Sequence, residues 1–105
     1  MISEETIQQV IERLKMAAPG STIILFGSYA RGDAREGSDL DILVVEPLVT
    51  ARRREIVRLS DVLRPLGIPI DILVASKKTF SEWADVPGTV LHKAATEGRV
   101  LYAAA

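Results

Sequence analysis

The chain has 105 residues, the length of one domain and too short for two independent cores. Hydrophobic residues make up 48% and charged residues 26%, a soluble globular balance that excludes intrinsic disorder. Thirteen basic and fourteen acidic residues leave a net charge of −1, without the positive field that non-specific duplex binding requires, so no direct nucleic-acid binding is expected.

The absence of cysteine excludes disulfide scaffolds, thiolate zinc sites and cysteine nucleophiles, and the single histidine, His92, excludes a histidine-rich metal site. Any metal must therefore be held by oxygen. The acidic opening Ser3-Glu4-Glu5 is unlike a secretory signal, and no apolar run approaches the roughly 18 residues of a membrane span. The expectation is a cytoplasmic protein with no membrane contact.

In chain order, Ile7, Val10, Ile11 and Leu14 follow helical spacing, with Ser3 as N-cap, glutamates in the first turn and Pro19-Gly20 as the stop. Thr22 to Phe26 reads as a buried strand ending at Gly27-Ser28, and Ser28 to Asp33 as one or two helical turns. Arg35 to Ser38 is turn-like, and Asp39 to Val45 is a second strand closed by Pro47. Thr50 to Leu66 is a helix with Ile56, Leu59 and Leu63 inward and Gly67 beyond its end. Ile70 to Val74 is a third strand. Helical pieces follow Ser76, with Pro87 in a first turn and Gly98 as terminator, before a short strand over Val100 to Tyr102. The fold class is α/β (α+β), a small mixed sheet covered by helices, organised as a single domain over 1–105. The first two strands are too close in sequence for a crossover helix, so they pair antiparallel.

Three aspartates stand where a plain core would carry aliphatic residues. Alternation along a strand puts Asp39 and Asp41 on one face, their Cα atoms about 6.6 Å apart, and Asp71 lies inside Ile70-Asp71-Ile72-Leu73-Val74. All three are expected to be at least partly buried. Ionised carboxylates in such positions cost several kcal/mol and repel one another, and a divalent cation relieves both penalties. All-oxygen ligation favours Mg²⁺ or Mn²⁺. The plain alternative is that Asp39 caps a turn, Asp41 pairs with an arginine and Asp71 lies on an edge. Gly27-Ser28 follows the first strand where backbone N–H groups can meet a phosphate, though the dipeptide alone is weak, and it matches neither a Walker A loop nor a dinucleotide fingerprint.

Ten residues separate Ser28 from Asp39, and Gly27-Ser28 followed by Asp39-Leu40-Asp41 and a later strand aspartate, Asp71, resembles the signature of the DNA polymerase beta-like nucleotidyltransferase superfamily. The run from Gly27 to Val44 is similar to that of the minimal nucleotidyltransferases (MNT proteins), found in prokaryotes beside helical HEPN-domain proteins. The resemblance covers nearly the whole chain, with no departure at the motif positions.

The resemblance implies a polymerase beta-like nucleotidyltransferase fold and an enzyme. By it, Asp39 and Asp41 bind metal and triphosphate, Asp71 completes the catalytic and metal site, and Gly27 and Ser28 hold the β- and γ-phosphates. Two Mg²⁺ ions assist, with Mn²⁺ as the substitute. Arg31, and less so Arg35, adds positive charge near the nucleotide. The implied activity is transfer of AMP from ATP to a hydroxyl, a tyrosine of a HEPN toxin partner, with the chain acting as antitoxin in a hetero-oligomer. Two alternatives stand beside it: a non-catalytic antitoxin that occludes its partner, and nucleotidyl transfer to a small molecule.

The remaining features read plainly. Arg31-Gly32-Asp33 is a coincidental tripeptide, Arg52 to Arg54 with Arg58 form a solvated face, and His92 is a surface residue. Trp83 is either a core plug or a partner anchor, and the residues do not choose between them.

Overall fold

A computed structural model describes residues 1–104. Helix α1 (Glu4–Ala17) begins where expected, because the Ser3 hydroxyl accepts the Thr6 N–H at 3.1 Å. Strand β1 (Thr22–Phe26) leads into the single helical turn α2 (Ser28–Arg31), and β2 (Leu40–Glu46) returns antiparallel to β1. The second long helix, α3 (Arg52–Leu63), ends in a 3₁₀ turn over Arg64–Leu66 and leads to β3 (Ile70–Ser76). Strands β2 and β3 are parallel, as a helical crossover allows. Helices α4 (Lys77–Trp83) and α5 (Val90–Glu97) then precede β4 (Arg99–Tyr102). The mixed sheet has the order β3-β2-β1-β4.

Period-2 alternation divides the sheet into two apolar faces. Ile23, Leu25, Leu40, Ile42, Val44, Ile72 and Val74 meet Ile7, Val10, Ile11 and Leu14 of α1 and Leu59 and Leu63 of α3. Burying each such side chain stabilises the fold by roughly 1.5–3 kcal/mol. On the opposite face Ile24, Phe26, Leu43, Val45 and Ala75 pack with Ala94 of α5, and Leu73, Phe80 and Leu91 border them. Asp41 and Asp71 belong by alternation to this second face. No described helix is long and apolar enough to cross a membrane.

Three local expectations are corrected. Pro87 lies in the turn before α5, whose N-cap is Thr89, since the Thr89 hydroxyl accepts the His92 N–H at 3.2 Å. His92 is half-buried, with Nδ1 at 2.8 Å from the Ala84 carbonyl, tying α5 to the end of α4. Asp39 precedes β2 instead of opening it.

Candidate active site

The site is built at the strand ends where β1 stops and β2 starts. Gly27 carries the chain from β1 into α2 with φ 74° and ψ −156°, a region open essentially to glycine. Its carbonyl accepts the N–H groups of Ala30 and Arg31 at 3.1 and 3.0 Å, closing the turn, while the first N–H groups of such a turn have no partner inside it. Tyr29 anchors α2 from behind, its hydroxyl accepting the Ile2 N–H at 3.0 Å.

Asp41 lies directly against this turn. It pairs in register with Phe26 on β1, and a Cβ at position 27 would overlap its carboxylate, with the Asp41 Cγ only 3.0 Å away. On its other side Asp41 is in register with Asp71 on β3, so the two aspartates occupy neighbouring strands, about 4.8 Å apart. Burial pushes the Asp41 carboxyl above its usual range, and the charges of Asp71 and Asp39 push it the same way, against smaller opposing effects of Lys93 and Arg31. Sequence and fold thus bring the three predicted carboxylates within reach of one another's fields.

Their burial differs from expectation. Asp41 is half-buried, whereas Asp39 and Asp71 are exposed. The reason is position: Asp39 stands before its strand, Asp71 is near the start of an edge strand, and β3 buries its side chains only from Ile72 onward. The edge placement of Asp71 agrees with one part of the plain alternative. An arginine partner for Asp41 does not, since among the described residues no ion pair involves it. Nor do the described residues already gather three carboxylates or imidazoles around one point in this conformation.

Ser28 is half-buried at the start of α2, and Arg31 is exposed at its end. The Arg31 Nε donates to Asp33 at 3.3 Å and Nη1 donates to Glu97 at 3.2 Å, and both carboxylates hold the guanidinium pKa above its ordinary value. The same Glu97 oxygen accepts the Gly27 N–H at 3.1 Å. Arg35 is exposed in the Arg35–Ser38 turn, where its N–H donates to the Ser38 hydroxyl at 2.9 Å.

Two residues that sequence reasoning missed, Lys93 and Glu97, lie one turn apart on α5 and face the site from the far side. The available signal was faint. A glutamate in the last turn of a helix opposes the macrodipole, which suggests a tertiary reason for its presence.

The nucleotidyltransferase domain model matches residues 7–102. This chain belongs to the nucleotidyltransferase domain family. A Methanocaldococcus jannaschii protein described as "putative protein adenylyltransferase" is 35% identical over 104 residues, covering 97% of this chain and all of the relative. Among solved structures, a toxin–antitoxin crystal structure with AMP-PNP superposes with a TM-score of 0.63 at 24% identity, over 97% of this chain and 74% of that one. The Shewanella oneidensis complex of a tri-AMPylated HEPN toxin with its MNT antitoxin gives 0.62 at 22% identity, over 97% and 73%. At those identities the likeness is one of fold, and the mixed sheet with flanking helices is the fold expected.

Proposed function

We propose that this nucleotidyltransferase moves AMP from ATP to a tyrosine hydroxyl of a HEPN-type toxin and so acts as its antitoxin. The observation that carries the reading is the meeting of Gly27 with Asp41, which sets a glycine turn directly against the only half-buried carboxylate of the trio. The description of the M. jannaschii relative as a "putative protein adenylyltransferase", and the tri-AMPylated HEPN toxin in one of the structural neighbours, support the acceptor class.

In this reading the N–H groups and hydroxyl of the Gly27-Ser28 turn hold the β- and γ-phosphates, and Arg31 adds charge beside them. Asp39 and Asp41, with Asp71, would hold divalent cations. The donor set fits Mg²⁺ or Mn²⁺, because all ligands are carboxylate oxygens and the burial and mutual repulsion that raise Asp41 are penalties a cation relieves. When bound, the cations neutralise charge on the triphosphate. Asp71, exposed at the sheet edge, is open to an incoming hydroxyl and takes its proton. The acceptor oxygen then bonds to the α-phosphorus, the bond to the bridging oxygen breaks, and pyrophosphate leaves. A docked protein supplies its own orientation, which suits so open a site.

Co-expression with a HEPN-domain partner followed by intact mass measurement tests the proposal. The expected result is added mass in AMP units, lost in Asp39→Asn. A partner that is inhibited yet unmodified, with inhibition surviving Asp39→Asn, hands the function to simple occlusion. Modification of a small molecule in place of the partner overturns the acceptor class.

A further inference from the structure

We propose that Glu97 is a positioning residue for nucleotide binding, tying the anion-facing Arg31 guanidinium to the backbone of the Gly27 turn through the Gly27 N–H. This rests on the phosphate-binding roles proposed above for the Gly27-Ser28 turn and Arg31.

A single oxygen, Glu97 Oε1, accepts from both donors, Gly27 N at 3.1 Å and Arg31 Nη1 at 3.2 Å, across 70 and 66 residues of sequence. Asp33 takes the Arg31 Nε at 3.3 Å, so the guanidinium is held from two sides. Those two bonds use two of its five N–H groups, and the remaining three are left to face a ligand. An exposed arginine otherwise loses rotamer entropy when it is immobilised on a phosphate. Holding it in advance reduces that cost at the moment of binding.

Glu97 is itself a fixture. It is the last residue of α5, and Gly98 behind it is so close to the Ala94 carbonyl and the Ile24 side chain that a Cβ there would overlap both. The Gly98 N–H donates to that carbonyl at 2.9 Å, closing the helix end. The Glu97 side chain is 23% exposed, against 40% for Arg31, so the carboxylate is the better-buried half of the pair. A carboxylate at a helix C-terminus is unfavourable on local grounds, and its two long-range hydrogen bonds offset that cost.

The test measures Mg²⁺-AMP-PNP affinity by calorimetry, and steady-state transfer, for the wild-type chain and for Glu97→Ala, Glu97→Gln, Arg31→Ala and Arg31→Ala/Glu97→Ala. Loss of the charge-assisted contact is expected to weaken binding about 10-fold in Glu97→Ala, with a parallel rise in KM for ATP and little change in kcat. Glu97→Gln keeps an oxygen that accepts both N–H groups and recovers most of the loss. In the Arg31→Ala background the second substitution adds little. A residue that only stabilised α5 would instead lower the melting temperature, leave the nucleotide affinity of the folded fraction unchanged and act independently of Arg31. Unchanged affinity in Glu97→Ala overturns the proposal. So does tighter binding, which would make Glu97 a carboxylate standing in for a phosphate. A wild-type chain that binds no nucleotide removes the proposed function and Glu97's role together, whereas normal wild-type binding with an indifferent Glu97→Ala removes only the latter.

Discussion

Gly27 and Asp41 share one volume: the side chain that position 27 lacks is the space the Asp41 carboxylate fills. Any Cβ there meets the carboxylate, and φ 74° with ψ −156° strains every residue except glycine. Gly27→Ala is therefore expected to cost at least roughly 1–3 kcal/mol in backbone strain alone. It should also displace Asp41, and a displacement near 1 Å lowers a positioned reaction by about 100-fold. Melting curves with transfer assays check this. A Gly27→Ala chain of unaltered stability and rate would show that the contact is not maintained in solution.

The carboxylates divide by environment. Asp41→Asn removes a charge that burial, Asp71 and Asp39 all oppose, so the variant is expected to melt at the same temperature as the parent or higher when no nucleotide is present. Asp39→Asn and Asp41→Asn should each lower transfer by at least roughly 100-fold, because charge stabilisation at the phosphates is lost. Melts with and without Mg²⁺-ATP separate the effects: the parent gains stability on addition, and the variants gain less. Wild-type rates in both variants would end the catalytic assignment of this aspartate pair.

Much of this arrangement is written in local patterns. Period-2 alternation puts Asp41 and Leu43 on one face, helical spacing marks the α1 stripe, and the ten residues between Ser28 and Asp39 hold the rest of the α2 turn and the loop that leads into β2. The exposure of Asp39 and Asp71 was not legible, because an apolar run shows that a strand is buried somewhere but not which end its covering helices reach. Glu97 was hidden for a different reason. Its partners Gly27 and Arg31 are brought to it only when α5 lies across β1, and no spacing rule spans that distance. Trp83, left open by its neighbours in sequence, is 47% exposed beside Val90 and Leu91, so it is no core plug.

The contact behind Gly98 predicts a structural variant with a distant effect. A Cβ at this position overlaps the Ala94 carbonyl and presses on Ile24, so Gly98→Ala forces the end of α5 away from β1. Overpacking of this kind costs about 1–3 kcal/mol. Each kcal/mol lowers the melting temperature of a domain this size by roughly 4–8 °C. Because Glu97 is the preceding residue, the same substitution should lengthen its bond to the Gly27 N–H. Amide exchange at Gly27 reads that directly, and faster exchange is the expected outcome.

Away from the active site, Glu46 gives the fold a pH dependence. It ends β2, its Oε2 is buried without a partner among the described residues, and burial together with the neighbouring Glu55 pushes its carboxyl up to about 7. Glu55 is held low, first by Arg58, whose Nε and Nη2 both donate to it at 2.7 Å. Glu46 can donate a hydrogen bond to Glu55 only while protonated. The folded chain thus binds more protons than the unfolded chain between the ordinary value of 4.5 and about 7, and stability falls as pH rises through that window. Glu55 acts in the opposite sense in stronger acid, its contribution present above its ordinary value and lost as pH falls below it. Glu46→Gln keeps the shape, carries no charge and still donates to Glu55. It is expected to stabilise the fold at pH 8 by on the order of 1 kcal/mol, after discounting for partial exposure, and to bring little gain at pH 4.5. Urea melts of both proteins across this range measure the difference. A Glu46→Gln advantage that is independent of pH would place the cause in packing and not in the proton.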